Sequence, residues 1–178
     1  MKYYYLAASL PMLSMDASPP ISLDTFRALC AEHLSAHDYR ALEALLAGAA
    51  DPHAFVGDWN RVETALRNAC VRERAGRLKR DPVPFLRREA DLDTAMARHV
   101  AAAFARRTPL EREHALDRLR WDLAEELAGF DPFSSRALLA YALQLRLAER
   151  WARMDPGAGD KTLESLVNRE PEAQEKAA

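Results

Sequence analysis

Few residues in this sequence break a chain, crosslink it or favour a sheet. Two cysteines in 178 residues, Cys30 and Cys70, lie inside helical patterns at a spacing that fits no metal or redox motif. A disulfide scaffold is excluded, and buried reduced thiols in a cytoplasmic protein are expected. Only six glycines are present. They fall at helix ends and turns, so there is no phosphate-cradling loop and no nucleophile elbow. Alternating Val/Ile/Thr runs are missing, which removes the strand signal. No run approaches the roughly 18 apolar residues that a spanning helix needs. Residues 1–13 hold one Lys, three successive tyrosines and an apolar stretch broken by Ser9 and Pro11, a poor match to a secretory leader. A net charge of -2 gives no global pull toward nucleic acid or membrane, so a partner of either kind must meet a local patch. A soluble protein is expected, with any membrane association peripheral.

What remains is helix-forming sequence, 49% hydrophobic and 29% charged, ordinary for a globular chain and long enough for one core. Thr108 as N-cap, Pro109 at the first helical position and Glu111 three residues after the cap open a helix through Leu116, Leu119, Trp121, Leu123 and Leu127. Gly129 closes it, Asp131-Pro132 breaks the chain, and Ser134 caps a helix carrying Leu138, Leu139, Tyr141, Leu145 and Trp151. Upstream, Ser22 and Ser35 each cap a short helix, together a hairpin over 22–48. A helical period runs from about Phe55 to Leu78, with arginines on the opposite face. After Asp81-Pro82-Val83-Pro84, a second long helix is expected from about Phe85 to Arg107. Residues 3–10 are ambiguous between a strand and a helical turn. The expectation is an all-α antiparallel bundle of about six or seven helices in one domain over 1–170. Its parts are the hairpin 22–48, a long-helix bundle 55–154 and a terminal helix 161–169, followed by a frayed tail 171–178.

Residues able to do chemistry are sparse. Cys30, His33 and His37 share a helical spacing, but Ser35 interrupts it and no fourth zinc ligand is near. Glu111 and His114 form one Glu-x-x-His unit, where a di-iron bundle uses two. Glu125 and Glu126 read as a solvated helix surface. No metal, no cofactor and no catalysis by this chain alone are expected.

Charge is unevenly spread. Residues 61–107 hold twelve Lys/Arg against six Asp/Glu, an excess of +6, leaving -8 elsewhere. Such a dipolar chain suits an acidic protein surface, a phosphate backbone or anionic headgroups, and equally a solvated helix face. Recognition of nucleic acid is disfavoured, since aromatic interleaving and a helix-turn-helix are lacking. Trp59, Trp121 and Trp151 read as core anchors, with interface anchoring as the alternative.

Several segments together carry a resemblance. They are Tyr3-Tyr4-Tyr5-Leu6-Ala7-Ala8-Ser9-Leu10-Pro11-Met12-Leu13, Pro20-Ile21-Ser22, Trp59-Asn60-x-x-Glu63-x-x-Leu66-Arg67-Asn68, Leu116-Asp117-x-x-Arg120-Trp121 and Leu138-Leu139-Ala140-Tyr141. In these the chain resembles an uncharacterised bacterial family encoded among the subunits of V/A-type rotary ATPases. Its last helices, around Met154-Asp155-Pro156-Gly157 and 163–167, also look like the end of the funnel-shaped component of those ATPases that is designated C or d. That component is built of helices, sits on the membrane rotor ring and receives the foot of the central stalk. This chain is shorter than its three-module architecture, so replacement of the funnel and an accessory place beside it both stay open. The resemblance implies a mechanical role without an ATP site, with stalk or ring subunits as partners. The candidate interface residues are Arg67, Arg72, Arg74, Arg77, Arg120, Trp121 and Tyr141. The alternative is a helical adaptor or regulatory protein that binds an acidic protein or nucleic acid with steep salt dependence.

Overall fold

The computed structural model describes residues 2–87 and 94–154. These form seven α-helices: α1 (Tyr4–Ser9), α2 (Leu23–His33), α3 (Ala36–Ala47), α4 (Ala54–Leu78), α5 (Thr94–Phe104), α6 (Pro109–Ala128) and α7 (Ser135–Ala152), with one 3-10 turn at Val83–Phe85. The protein is an all-α bundle. Among the described residues the only ladder-like contact is an isolated bridge between Lys2 and Ser134. The expected terminal helix 161–169 and tail 171–178 lie outside the described residues.

Local chemistry sets most helix starts. The hydroxyls of Ser22, Ser35, Thr108 and Ser134 each accept the N–H of the residue three positions on, at 3.1–3.2 Å, satisfying one orphan donor apiece. Glu111 reaches back as a capping box requires, but its Oε2 accepts from Arg107 N–H at 3.1 Å, one residue earlier than the usual partner. Helix α4 is capped by His53, whose Nδ1 accepts Phe55 N–H at 3.2 Å. Gly48 ends α3 in the left-handed region at φ 68°. Residues 3–10 resolve as helix, since Tyr4–Ser9 form α1.

The long helix expected over 85–107 is not formed as such. Leu86 is extended, and Asn68 of α4, which is buried, holds Arg87 by both backbone groups: its Nδ2 donates to the Arg87 carbonyl and its Oδ1 accepts the Arg87 N–H, each at 2.9 Å. A side chain nineteen residues away thus satisfies the backbone that a helix would have satisfied. The chain is carried back along α4 before α5 starts. Phe104, at the far end of α5, meets Arg77 near the end of α4. Helix α5 therefore runs parallel to α4, an exception to the antiparallel order expected of neighbours, and α6 returns antiparallel to both.

Three apolar clusters fill the bundle, two of them large and a third around Trp121. The largest joins α1, α2, α3, the first half of α4 and α7 around Phe26, Leu42, Phe55, Leu139 and Leu143. The second joins the second half of α4, α5 and the start of α6 around Leu66, Met96, Val100, Phe104 and Leu116. Leu123 of α6 packs against both of these. Full burial of a Leu or Phe is worth about 1.5–3 kcal/mol, so α7, which buries Leu138, Leu139, Leu143 and Leu145, is the main anchor of the fold. No helix among the described residues is long and apolar enough to cross a membrane.

Candidate functional site

The seven candidate interface residues divide into two groups. Arg67, Arg74 and Arg77 are exposed on α4 and Arg72 is half-buried there. Arg67 is tied to Glu63 at 3.0 Å and Arg77 to Glu73 at 3.1 Å, both i,i+4 pairs, which on an exposed helix contribute little to stability. Arg72 and Arg74 have no carboxylate partner among the described residues.

Trp121 is buried and Arg120 and Tyr141 are half-buried, each engaged in contacts within the bundle. Trp121 is buried against Met15, Leu147 and Ala148. The Tyr141 hydroxyl donates to the Pro11 carbonyl at 2.9 Å, and burial pushes its pKa up to about 12. Arg120 lies between two acids. Its Nε and Nη2 donate to Glu63 at 3.0 and 3.2 Å, and its Nη1 donates to Asp117 at 2.9 Å. Asp117, with no exposed side-chain surface, also accepts Arg150 Nη1 at 2.7 Å and the Trp151 indole N–H at 3.0 Å. This network bolts α4, α6 and α7 together. Burial alone would raise the Glu63 carboxyl, but hydrogen bonds and charge from Arg120 and Arg67 overcome it and hold the group below its ordinary value. Burial acts on Arg120 in the opposite sense and is likewise outweighed by Glu63, so its pKa is raised. The i,i+3 pair of Asp117 and Arg120 faces the bundle and meets its third member across 57 positions.

A second polar cluster, not apparent from the sequence, joins four elements. The Tyr3 hydroxyl donates to Asp38 and accepts the Ser35 N–H at 3.2 Å, standing between the cap of α3 and its third residue. His37 Nδ1 lies 3.1 Å from Asp38 Oδ1, and His53 Nε2 lies 3.6 Å from Asp38 and 3.3 Å from Ser135 Oγ. Asp, His and Ser side chains thus come together, but the geometry is not that of a nucleophile and its base. The nitrogen that meets Ser135 is the one that faces Asp38, and the other nitrogen is occupied by Phe55 N–H. Burial lowers the His53 pKa, so the ring serves as a neutral cap.

The other candidate chemistry disperses. His33 Nδ1 contacts the Leu29 carbonyl at 3.0 Å, and Cys30 is a buried thiol whose pKa burial raises to about 12. Glu111 serves the cap of α6, and His114 meets Asp16 at 3.1 Å. No group of three or more His, Cys, Asp or Glu among the described residues is placed to hold a metal ion.

Two surface features remain. Between α5 and α6 lies a groove of about 860 Å³, floored by Met96, Ala103, Ala115 and Leu119 and bordered by Arg106 and Glu126. At the end where α4 and α5 stop and α6 starts, three guanidiniums surround the Phe104 ring. Their carbons lie 5.8 Å (Arg74), 5.2 Å (Arg77) and 4.8 Å (Arg112) from its centroid. Arg77 Nη2 also donates to the Phe104 carbonyl at 2.7 Å. Arg112 was outside the sequence candidates; its place right after a capping box gave no hint that it would meet α4.

A family model described as a protein of unknown function (DUF2764) matches residues 47–172, from the end of α3 through α7 and beyond. No curated protein and no solved structure matches the chain.

Proposed function

The chain belongs to the DUF2764 family, and we propose, from the resemblance of its segments, that this member is a non-catalytic subunit or accessory of a V/A-type ATPase, a helical linker between the central stalk and the rotor ring. The observation that carries this reading is the convergence of the segments that resemble the ATPase-associated family. Glu63 and Arg67 from one segment and Asp117 and Arg120 from another meet in a single ionic network, and Trp59, Leu138 and Leu139 from the segments alongside them lie in one core. Side chains engaged in cross-bracing rather than catalysis suit a body that bears load. Close-packed interiors have low compressibility and pass displacement on, and three helices tied by guanidinium–carboxylate bonds around the buried Asp117 resist sliding past one another.

Docking, on this reading, uses the uncompensated cations at the end of α4 against acidic stalk or ring-loop surfaces, and complementary charge sets rate and register more than affinity. Association with the membrane is peripheral and runs through the partners. The test is recovery of the tagged protein from its own cell membranes, washed at low and then high salt, with the retained proteins identified by mass spectrometry. Stalk, head or ring subunits are expected in the low-salt fraction. Retention of nucleic acid or of an unrelated acidic protein in their place overturns the rotary assignment in favour of a helical adaptor.

A further inference from the structure

Over most of the fold, guanidiniums meet carboxylates: Arg27 with Glu43, Arg40 with Asp51, Arg118 with Asp16, Arg136 with Asp58. At the end of the bundle formed by the C-termini of α4 and α5 and the start of α6 only Arg77 keeps this pattern, with Glu73, among the described residues. Among the described residues, Arg72, Arg74, Arg80, Arg106, Arg107 and Arg112 have no ion-pair partner. The acids close to them are already used: Glu73 by Arg77, Glu111 by Arg107 N–H and Asp81 by Val83 N–H.

Two details show that this end is not simply a solvated face. Arg112 sits in the first turn of α6, where the helix dipole disfavours a cation, and its Nε is buried with no acceptor, although buried donors are almost always satisfied. Lys79 holds a left-handed backbone at φ 51°, the place that α3 gives to Gly48, so a charged side chain is kept where glycine is less strained. Beside these cations stand exposed Leu78, Val83, Phe85 and Leu110, and Leu78 and Phe85 line a hollow with Lys79, Arg80 and Asp81, whose carboxylate accepts the Val83 N–H.

We propose that this end of the bundle is a docking site for a protein segment that carries Asp or Glu carboxylates next to apolar side chains. The guanidiniums of Arg74 and Arg112 take a carboxylate beside the Phe104 ring, and Leu78 and Phe85 take the apolar side chains. Planar guanidinium forks match carboxylate geometry. Cations interleaved with exposed aliphatic and aromatic side chains fit a protein partner. A long polyanion leaving this end along α6 runs into exposed Asp122, Glu125 and Glu126. The proposal deepens the preceding one and rests on it only for which assembly supplies the segment.

The experiment titrates the full-length protein with a synthetic peptide of interspersed Glu, Leu and Phe, and with its Gln-for-Glu counterpart, following the Arg Nε–H resonances by NMR and affinity by calorimetry. The Glu peptide is expected to bind, to shift the Arg112 Nε–H signal and to weaken with added salt, and the Gln peptide is expected not to bind. Arg74→Gln with Arg112→Gln should weaken binding by about tenfold or more with the helical circular dichroism retained, while Arg112→Lys, which keeps charge but loses the fork, should fall between. The NMR readout on the unaltered protein stands even if the double variant folds poorly. Equal binding of the two peptides, an unmoved Arg112 signal, or displacement of the peptide by a single-stranded oligonucleotide that binds more tightly overturns the proposal. Peptide binding without recovery of ATPase subunits from membranes would sink the rotary reading alone. Recovery of those subunits without peptide binding would sink the docking site alone.

Discussion

Asp117 receives three donors while exposing no side-chain surface. Asp117→Asn keeps the shape but replaces an anionic acceptor with an amide in front of two guanidiniums. We expect a loss of about 2–4 kcal/mol in chemical denaturation, far more than for loss of the exposed Arg67–Glu63 pair. Acid should weaken the fold in two stages. The His53 pKa lies below its ordinary 6.5 in the folded state, so the unfolded chain takes up that proton first; the contribution is whole above pH 6.5 and is lost as pH falls through the folded value. The Glu63 pKa lies below 4.5 for the folded chain, so its share is whole above that pH and is lost on further acidification, together with that of Asp38 and Asp58. In thermal melts against pH, His53→Asn, which keeps a capping acceptor, should flatten the first stage and leave the second. The sequence placed Asp117 and Arg120 on one helical face by their spacing. It held no local sign of Glu63 or Arg150 as their partners, because such pairings depend on how helices come together.

Capping and periodicity made α2, α3, α6 and α7 legible, since a Ser or Thr hydroxyl and the N–H three residues on are determined within one turn. The segment after α4 was not legible, because its competitor for helix is a distant side chain. Asn68→Ala removes both bonds to Arg87 and leaves two backbone groups without their partner. It should cost about 2–3 kcal/mol and speed amide exchange at Arg87 and along α5 ahead of the rest of the molecule. Equal protection of α5 in variant and parent would mean that its packing on α4, not the Asn68 clamp, sets the parallel arrangement. His53 as the cap of α4 escaped the sequence for a related reason: histidine is a rare cap, and the neighbouring Asp51-Pro52 gave the stronger break signal.

For the whole molecule, the uneven charge of the sequence, +6 over residues 61–107 against -8 elsewhere, has a counterpart in the fold: Arg74, Arg77, Lys79, Arg80, Arg106 and Arg107 gather where α4 and α5 finish together. Arg72, Arg74 and Arg77 changed to Glu should lower recovery of partner subunits from membranes washed at low salt while leaving some binding through apolar contacts; unchanged recovery would show that this face does not dock. The bundle class was legible from periodicity over the full chain, whereas the split of the arginines into cross-braces and free cations was not, because both kinds share the same helix faces in the sequence. At the opposite end of the fold, Lys2 meets Asp131, Tyr3 N–H donates to the Phe133 carbonyl at 2.7 Å, and Tyr141 reaches Pro11 across 130 positions. Closing so long a loop carries an entropy that the short helix hairpins do not. Tyr3 and its neighbours therefore have no place to settle until α7 has left the ribosome, and a chain arrested before α7 would hold α2 and α3 as a loose hairpin with Tyr3 unseated, so completion of the core waits on the synthesis of α7.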